Sequence, residues 1–143
     1  MNCVDINVLV YAHRIESPRH VEYKSWLEDA CDGDEPLGLP DLTLSGFVRI
    51  VTHRKIYRVP TSLSDALAFI AELRAGDACL TIASGDRHWS LFEDLCRRVE
   101  ATGNDIPDAF LAAIAIESGA TLITADRGFS RFPGLRWMHP LDN

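Results

Sequence analysis

Two short apolar runs at opposite ends of the chain each close on an aspartate, just where a different pattern takes over. Met1-Asn2-Cys3-Val4 leads into Asp5 and then Ile6-Asn7-Val8-Leu9-Val10-Tyr11-Ala12, and Ala120-Thr121-Leu122-Ile123-Thr124-Ala125 leads into Asp126. Between them strand-like and helix-like segments alternate. Alternation of this kind points to parallel strands joined by helical crossovers, because parallel neighbours cannot be linked by a tight turn. In an open parallel sheet the crevice lies outside the carboxyl ends of the strands, so acids placed there gather in one cleft. A third acid, Asp108, opens the apolar helical run 109–116. Converging carboxylates suit a hard cation, which takes oxygen ligands.

The segments follow from periodicity and punctuation. A helix is expected over 21–31, with Val21, Ser25 or Trp26, Leu27 and Ala30 on one face and Asp32-Gly33 ending it. Residues 36–39 read as a strand, and Pro40 leads into a largely buried helix over 42–52 whose polar side carries Ser45 and Arg49. The stretch 61–65 caps a helix over 66–73 that stops near Gly76. A strand over 79–82 precedes a helix over 88–99, with Trp89, Phe92, Leu95, Cys96 and Val99 facing inward and Gly103 past its end. Pro107 starts the Asp108 helix, Gly119 ends it, and 135–138 form a terminal strand. The expected fold is an α/β/α sandwich with a mostly parallel sheet of four or five strands, formed as one domain over residues 1–143.

At net charge −7 and pI near 5.1 the chain is not one that coats nucleic acid by bulk electrostatics. A nuclease remains open, since a cleft of aspartates is acidic when empty and bound cations reverse its sign. Local positive charge then matters more. Arg49, Arg54, Lys55 and Arg58 place four of the 14 basic residues in one stretch, which reads either as a phosphate-contacting segment or as an ordinary solvated loop.

The four cysteines lack C-x-x-C spacing and sit in or beside apolar segments, so they read as buried thiols, and the five histidines form no zinc pattern. No apolar run approaches the ~18 residues of a membrane span. The start has no basic region followed by a long apolar stretch, so a cytoplasmic protein is expected.

Each acid also has a plain structural use. Asp5 can cap the helix that follows it, Asp108 favours its helix macrodipole, and Asp126 can open a turn through Arg127-Gly128. Asn7 and Thr124 add neutral oxygens near the same edge. A Mg²⁺ or Mn²⁺ ion held there would polarise a phosphodiester and lower the pKa of a coordinated water.

The ordered set Val4-Asp5-Ile6-Asn7-Val8-Leu9-Val10-Tyr11-Ala12-His13, Gly46-Phe47-Val48-Arg49-Ile50-Val51-Thr52, Asp108-Ala109-Phe110-Leu111-Ala112-Ala113-Ile114-Ala115 and Thr121-Leu122-Ile123-Thr124-Ala125-Asp126-Arg127-Gly128-Phe129 resembles PIN-domain ribonucleases. It looks most like the VapC toxins of bacterial type II toxin–antitoxin systems, in particular the branch abundant in mycobacteria. The resemblance spans nearly the whole chain. It implies the PIN fold, a Mg²⁺- or Mn²⁺-dependent endoribonuclease that cuts tRNA or ribosomal RNA and inhibits translation, a homodimer, and a hetero-oligomer with a VapB-type antitoxin. By position it makes Asp5, Asp108 and Asp126 the catalytic, metal-binding acids, with Asn7 and Thr124 as support.

One departure stands out. Many PIN nucleases carry a glutamate in the helix after the second strand, where this chain has Ser45 and Gly46. Asp105 or Asp41 could supply a carboxylate instead. Arg49 either contacts RNA phosphate or balances the acids, Arg54 and Lys55 join it as RNA-binding candidates, and Thr52 either caps or back-bonds its helix. Tyr23, Trp26 and Leu27 offer either a contact face for a partner or part of the core.

Two other functions compete. A phosphatase forming a phosphoaspartate would have D-x-D-x-T after the first strand, and Asp5-Ile6-Asn7-Val8-Leu9 lacks the second aspartate. A binding module that holds RNA or an antitoxin without cleavage is motivated by the absent glutamate.

Overall fold

The computed structural model describes residues 1–142. In chain order it forms β1 (Asn2–Val4), α1 (Ile6–His13), α2 (His20–Asp32), β2 (Leu37–Pro40), α3 (Asp41–Val51), α4 (Leu63–Arg74), β3 (Cys79–Ile82), α5 (His88–Val99), α6 (Asp105–Ser118), β4 (Thr121–Ile123), a 3-10 turn (Arg127–Arg131) and β5 (Trp137–Met138). The sheet order is β3-β2-β1-β4-β5 and every pairing is parallel. The strand order reverses at β1–β4, because β2 and β3 lie to one side of β1 while β4 and β5 lie to the other. That reversal opens the crevice at the carboxyl ends of β1 and β4.

Side-chain alternation along the strands creates the two outer layers. Val4, Leu37, Leu39 and Ile123 turn to one face and pack with Val8, Leu9, Tyr23, Leu27, Phe47 and Ile70 from α1 to α4. Cys3, Ile82 and Leu122 turn to the other and meet Phe92, Leu95, Ala109, Ala112 and Ala113 from α5 and α6. The fold is therefore the expected three-layer sandwich, with five strands. Among the described residues no helix is long and apolar enough to cross a membrane.

Several local expectations change. Val21, expected inside, is 76% exposed, whereas Tyr23 and Leu27, each 5% exposed, take the core role of the two that the sequence left open. On α5 the inward stripe begins one residue early. His88 is buried and donates Nε2–H to the Phe110 carbonyl at 3.0 Å, its ring 4.2 Å from that of Phe110. Trp89 consequently points outward and bonds Glu93. α5 closes on Glu100 in the left-handed region (φ 52°), with Gly103 in the loop beyond. α6 starts at Asp105, two residues before Pro107, because a first-turn N–H has no helical partner to lose. Its end does use Gly119, at φ 68°. The terminal strand shortens to Trp137–Met138.

All four cysteines are free. Burial, together with the charge of Asp5, pushes the Cys3 thiol up to about 12, so it stays neutral. The C-terminal segment is tied back by Arg127, which donates to both carboxylate oxygens of Asp142 at 2.9 Å.

Candidate active site

Asp5 leaves β1 with extended backbone and caps α1, its Oδ1 accepting the Ile6 N–H at 2.7 Å. Its Oδ2 accepts the Thr124 hydroxyl at 2.7 Å and the Asn7 amide at 2.9 Å. Thr124 accepts in turn from the Asp126 N–H at 3.0 Å and from Asn7 Nδ2 at 3.2 Å, and Asn7 Oδ1 accepts the Ala125 N–H at 3.0 Å. The Thr124 hydroxyl thus uses its one hydrogen and both lone pairs. This network staples the β1–α1 turn to the exit of β4, across the strand reversal.

Asp126 is exposed just beyond that staple. Its Oδ1 accepts the Gly128 N–H at 2.8 Å and so opens the 3-10 turn. A Cβ on Gly128 would lie 2.9 Å from the same oxygen, so the turn keeps a glycine there. Asp108 arrives from the other layer. α6 crosses back along the sheet before β4, which puts its first turn, with Asp105 and Asp108, at the carboxyl edge.

The acids feel one another. Burial pushes the Asp5 carboxyl above its ordinary value, donors from Thr124 and Ile6 oppose this, and the charges of Asp108 and Asp126 add to the rise. Asp108 is likewise raised by burial, opposed by Arg131, and raised further by Asp126 and Asp105. Asp5 is only 7% exposed. The neighbouring charges that help raise Asp5 and Asp108 amount to a surplus of negative potential that a cation would relieve.

Asp5, Asn7, Thr124, Asp126, Asp108 and Asp105 are therefore brought to one edge. Asp41 begins α3 in an exposed position and makes no hydrogen bond or ion pair with them among the described residues. Arg49 is exposed in the last turn of α3 and has no ion pair among the described residues. Arg54 and Lys55 lie in the turn after α3, a loop tied to the far end of α1. There Arg14 reaches the Val59 carbonyl and Thr61 and packs over the Tyr57 ring at 4.0 Å. Arg54 and Lys55 thus stand at the opposite end of α1 from Asp5. Thr52 does back-bond its helix, donating to the Val48 carbonyl at 2.7 Å.

Gly46 packs on the first residue of α1. A Cβ there would lie 2.4 Å from Ile6 Cδ1, so Ile6 fills the space a side chain at 46 would enter. A groove of about 630 Å³ between α1, α2 and α4, lined by His13, His20, Lys24, Leu27 and Phe69, contains none of these acids. Among the described residues no three His, Cys, Asp or Glu side chains stand close enough to form a ready-made metal cage.

The cation beside the acids is one that sequence reading missed. Arg131 Nη2 lies 2.9 Å from Asp108 Oδ2 and 3.3 Å from Asp105 Oδ1. The available signal was a basic residue between two aromatics, Phe129-Ser130-Arg131-Phe132, in what read as a mere connection.

The PIN domain model matches residues 3–135, a span that includes every one of these acids. The VapC ribonuclease Mb2897 of Mycobacterium bovis is 52% identical over 142 residues, covering 99% of this chain and 97% of that protein. The chain belongs to the VapC ribonucleases of the PIN-domain family. Ribonuclease VapC25 of Mycobacterium tuberculosis is 36% identical over 140 residues, covering 98% of this chain and 99% of its own length. VapC folds also stand nearby among solved structures. VapBC2 from Rickettsia felis bound to a promoter DNA fragment superposes with a TM-score of 0.73 at 20% identity, covering 96% of each chain. Mycobacterium tuberculosis VapC20, a sarcin-ricin loop cleaving toxin, superposes with a TM-score of 0.67 at 18% identity, over 95% of this chain and 99% of that one. These two likenesses speak for the PIN fold alone.

Proposed function

We propose that this chain is the toxin of a VapBC pair, an endoribonuclease that cuts structured cytoplasmic RNA, tRNA or ribosomal RNA, and so inhibits translation. The observation that carries the reading is the convergence of Asp5, Asp108 and Asp126, from three distant segments, at the strand reversal, where burial and mutual repulsion leave uncompensated negative charge. Single-stranded loops of folded RNA are the parts a protein can read, which favours such targets.

The donor set fits a hard cation such as Mg²⁺, with Mn²⁺ as a substitute. Every candidate ligand is oxygen, and Asp108 Oδ1 and Asp126 Oδ2 make no hydrogen bond among the described residues. Mg²⁺ keeps several waters and binds through one or two carboxylates plus substrate phosphate, so an open arrangement without a three-ligand cage is compatible with it. When bound, the ion supplies Lewis acidity and a coordinated water of lowered pKa. Asp5, Asp108 and Asp126 would hold it, in part through its waters, while Asn7 and Thr124 fix the Asp5 carboxylate through three hydrogen bonds that join it and each other. Gly46, filled over by Ile6, contributes no carboxylate.

A VapB-type antitoxin completes the proposal, supported by relatives named VapC and by solved VapBC assemblies of the same fold, and a homodimer is proposed beside it. Such an antitoxin would satisfy the acidic edge with a cationic side chain.

The test is cleavage of total tRNA and ribosomal RNA by the purified chain with Mg²⁺, Mn²⁺ or EDTA, with Asp5→Asn alongside. Discrete fragments that require metal and vanish in the variant are expected. A folded protein that yields none with either metal would sink the nuclease reading and favour an RNA- or antitoxin-binding module.

A further inference from the structure

Arg131 is held from four sides. Its Nη2 meets Asp108 and Asp105, its Nη1 donates to the Gly128 carbonyl, and its guanidinium lies 4.4 Å from the Phe132 ring centroid. It is still 31% exposed. An arginine carries five N–H donors in a planar fork. Asp105, Asp108 and Gly128 engage Nη1 and Nη2, while Nε has no hydrogen-bond partner among the described residues.

A pair that served only to fasten the 3-10 turn to α6 would need none of that spare capacity. The electrostatics of the edge also call for it. Asp5, Asp105, Asp108 and Asp126 repel an approaching phosphodiester, and among the described residues Arg49, Arg54 and Lys55 make no hydrogen bond or ion pair with them. A guanidinium matches phosphate geometry, and one already stacked and ion-paired loses little freedom on binding.

We propose that Arg131 is a substrate-binding residue that takes a backbone phosphate of the RNA beside Asp108 while keeping Asp108 in place. This rests on the ribonuclease reading for the identity of the ligand. It assigns phosphate contact to a residue of the turn after β4, where the basic stretch 49–58 had been the candidate.

The experiment measures binding apart from cleavage. Fluorescently labelled bulk tRNA is titrated with the full chain carrying Asp5→Asn, in Mg²⁺ and at several salt concentrations, and again with Arg131→Ala, Arg131→Lys or Arg54→Ala added. Arg131→Ala should weaken binding about tenfold and lower the slope of log affinity against log salt by about one. Arg131→Lys should restore the slope but only part of the affinity, because an ammonium lacks the planar fork. Arg54→Ala should change affinity less than Arg131→Ala.

Thermal melting accompanies each titration, and should Arg131→Ala fail to fold, Arg131→Gln, which keeps the stem on Phe132, is read in its place. Unchanged affinity and slope in the folded neutral variant overturn the inference and leave Arg131 a structural ion pair. Wild-type cleavage is scored separately. Cleavage with Arg131-independent binding defeats this inference alone, whereas Arg131-dependent binding without cleavage supports it and defeats the nuclease reading.

Discussion

Thr124 gives its hydroxyl hydrogen to Asp5 Oδ2 at 2.7 Å, joining two residues 119 positions apart across the point where the sheet reverses its strand order. The Thr124 hydroxyl oxygen in turn receives the Asp126 N–H and the Asn7 amide, so one small side chain organises both ends of the site.

Replacing Thr124 by Val keeps the shape and removes all three bonds. Stability should fall by about 1–3 kcal/mol, the cost of leaving buried polar partners unmade. Thr124→Ser should recover most of it. Urea denaturation of the three proteins decides the matter, and a Val variant as stable as wild type would show that water takes over the role.

The raised Asp5 carboxyl makes a specific demand on pH. A carboxyl whose folded value lies above its unfolded one contributes stability that is complete below the unfolded value, about pH 4, and is lost as pH rises through the folded value. In metal-free buffer Asp5→Asn escapes that loss. Any fixed cost of its altered hydrogen bonds does not vary with pH, so stability relative to wild type should rise from about pH 4 to neutrality. Denaturant titrations at three pH values test this, and a flat or falling difference rejects it.

If divalent cations occupy the acids, they should also hold the fold. Mg²⁺ at 100 times its dissociation constant is expected to add about 2.7 kcal/mol, and EDTA to remove it. Asp108→Asn should shrink the increment. An equal gain in wild type and variant would place the ion elsewhere.

Gly46 and Ile6 should be coupled. Gly46→Ala gains helix propensity worth up to about 1 kcal/mol, yet its Cβ meets Ile6 Cδ1 at 2.4 Å. In an Ile6→Ala background that obstacle is gone. A double-mutant cycle should therefore return a coupling of about 1 kcal/mol, and strict additivity would mean that Ile6 swings aside freely.

Much of this was legible in the residues because local and global signals agree. β3 and α5 match their expected spans since turn residues bracket both, and Asp5 and Asp126 mark strand ends that any parallel sheet would bring together. What escaped was set by tertiary contact. His88 displaced Trp89 from the core because a Phe110 carbonyl, 22 residues away, was there to accept its N–H. Arg131 finds Asp108 across 23 residues, and no spacing rule links a basic side chain in a short turn to the first turn of an earlier helix. The basic stretch stands apart from the acids for the opposite reason: adjacency in sequence said nothing of the length of α3, about 16 Å, that carries Arg54 and Lys55 away from the sheet edge.

The register of the sheet has a consequence for how the protein is made. β1 is written first, yet Asn2, Cys3 and Val4 pair with Thr121, Leu122 and Ile123, and Asp5 receives its hydroxyl donor only from Thr124. Closing so long a loop is slow, and it cannot begin until β4 and Thr124 have left the ribosome. A nascent or prematurely terminated chain that lacks β4 therefore carries its acids unassembled.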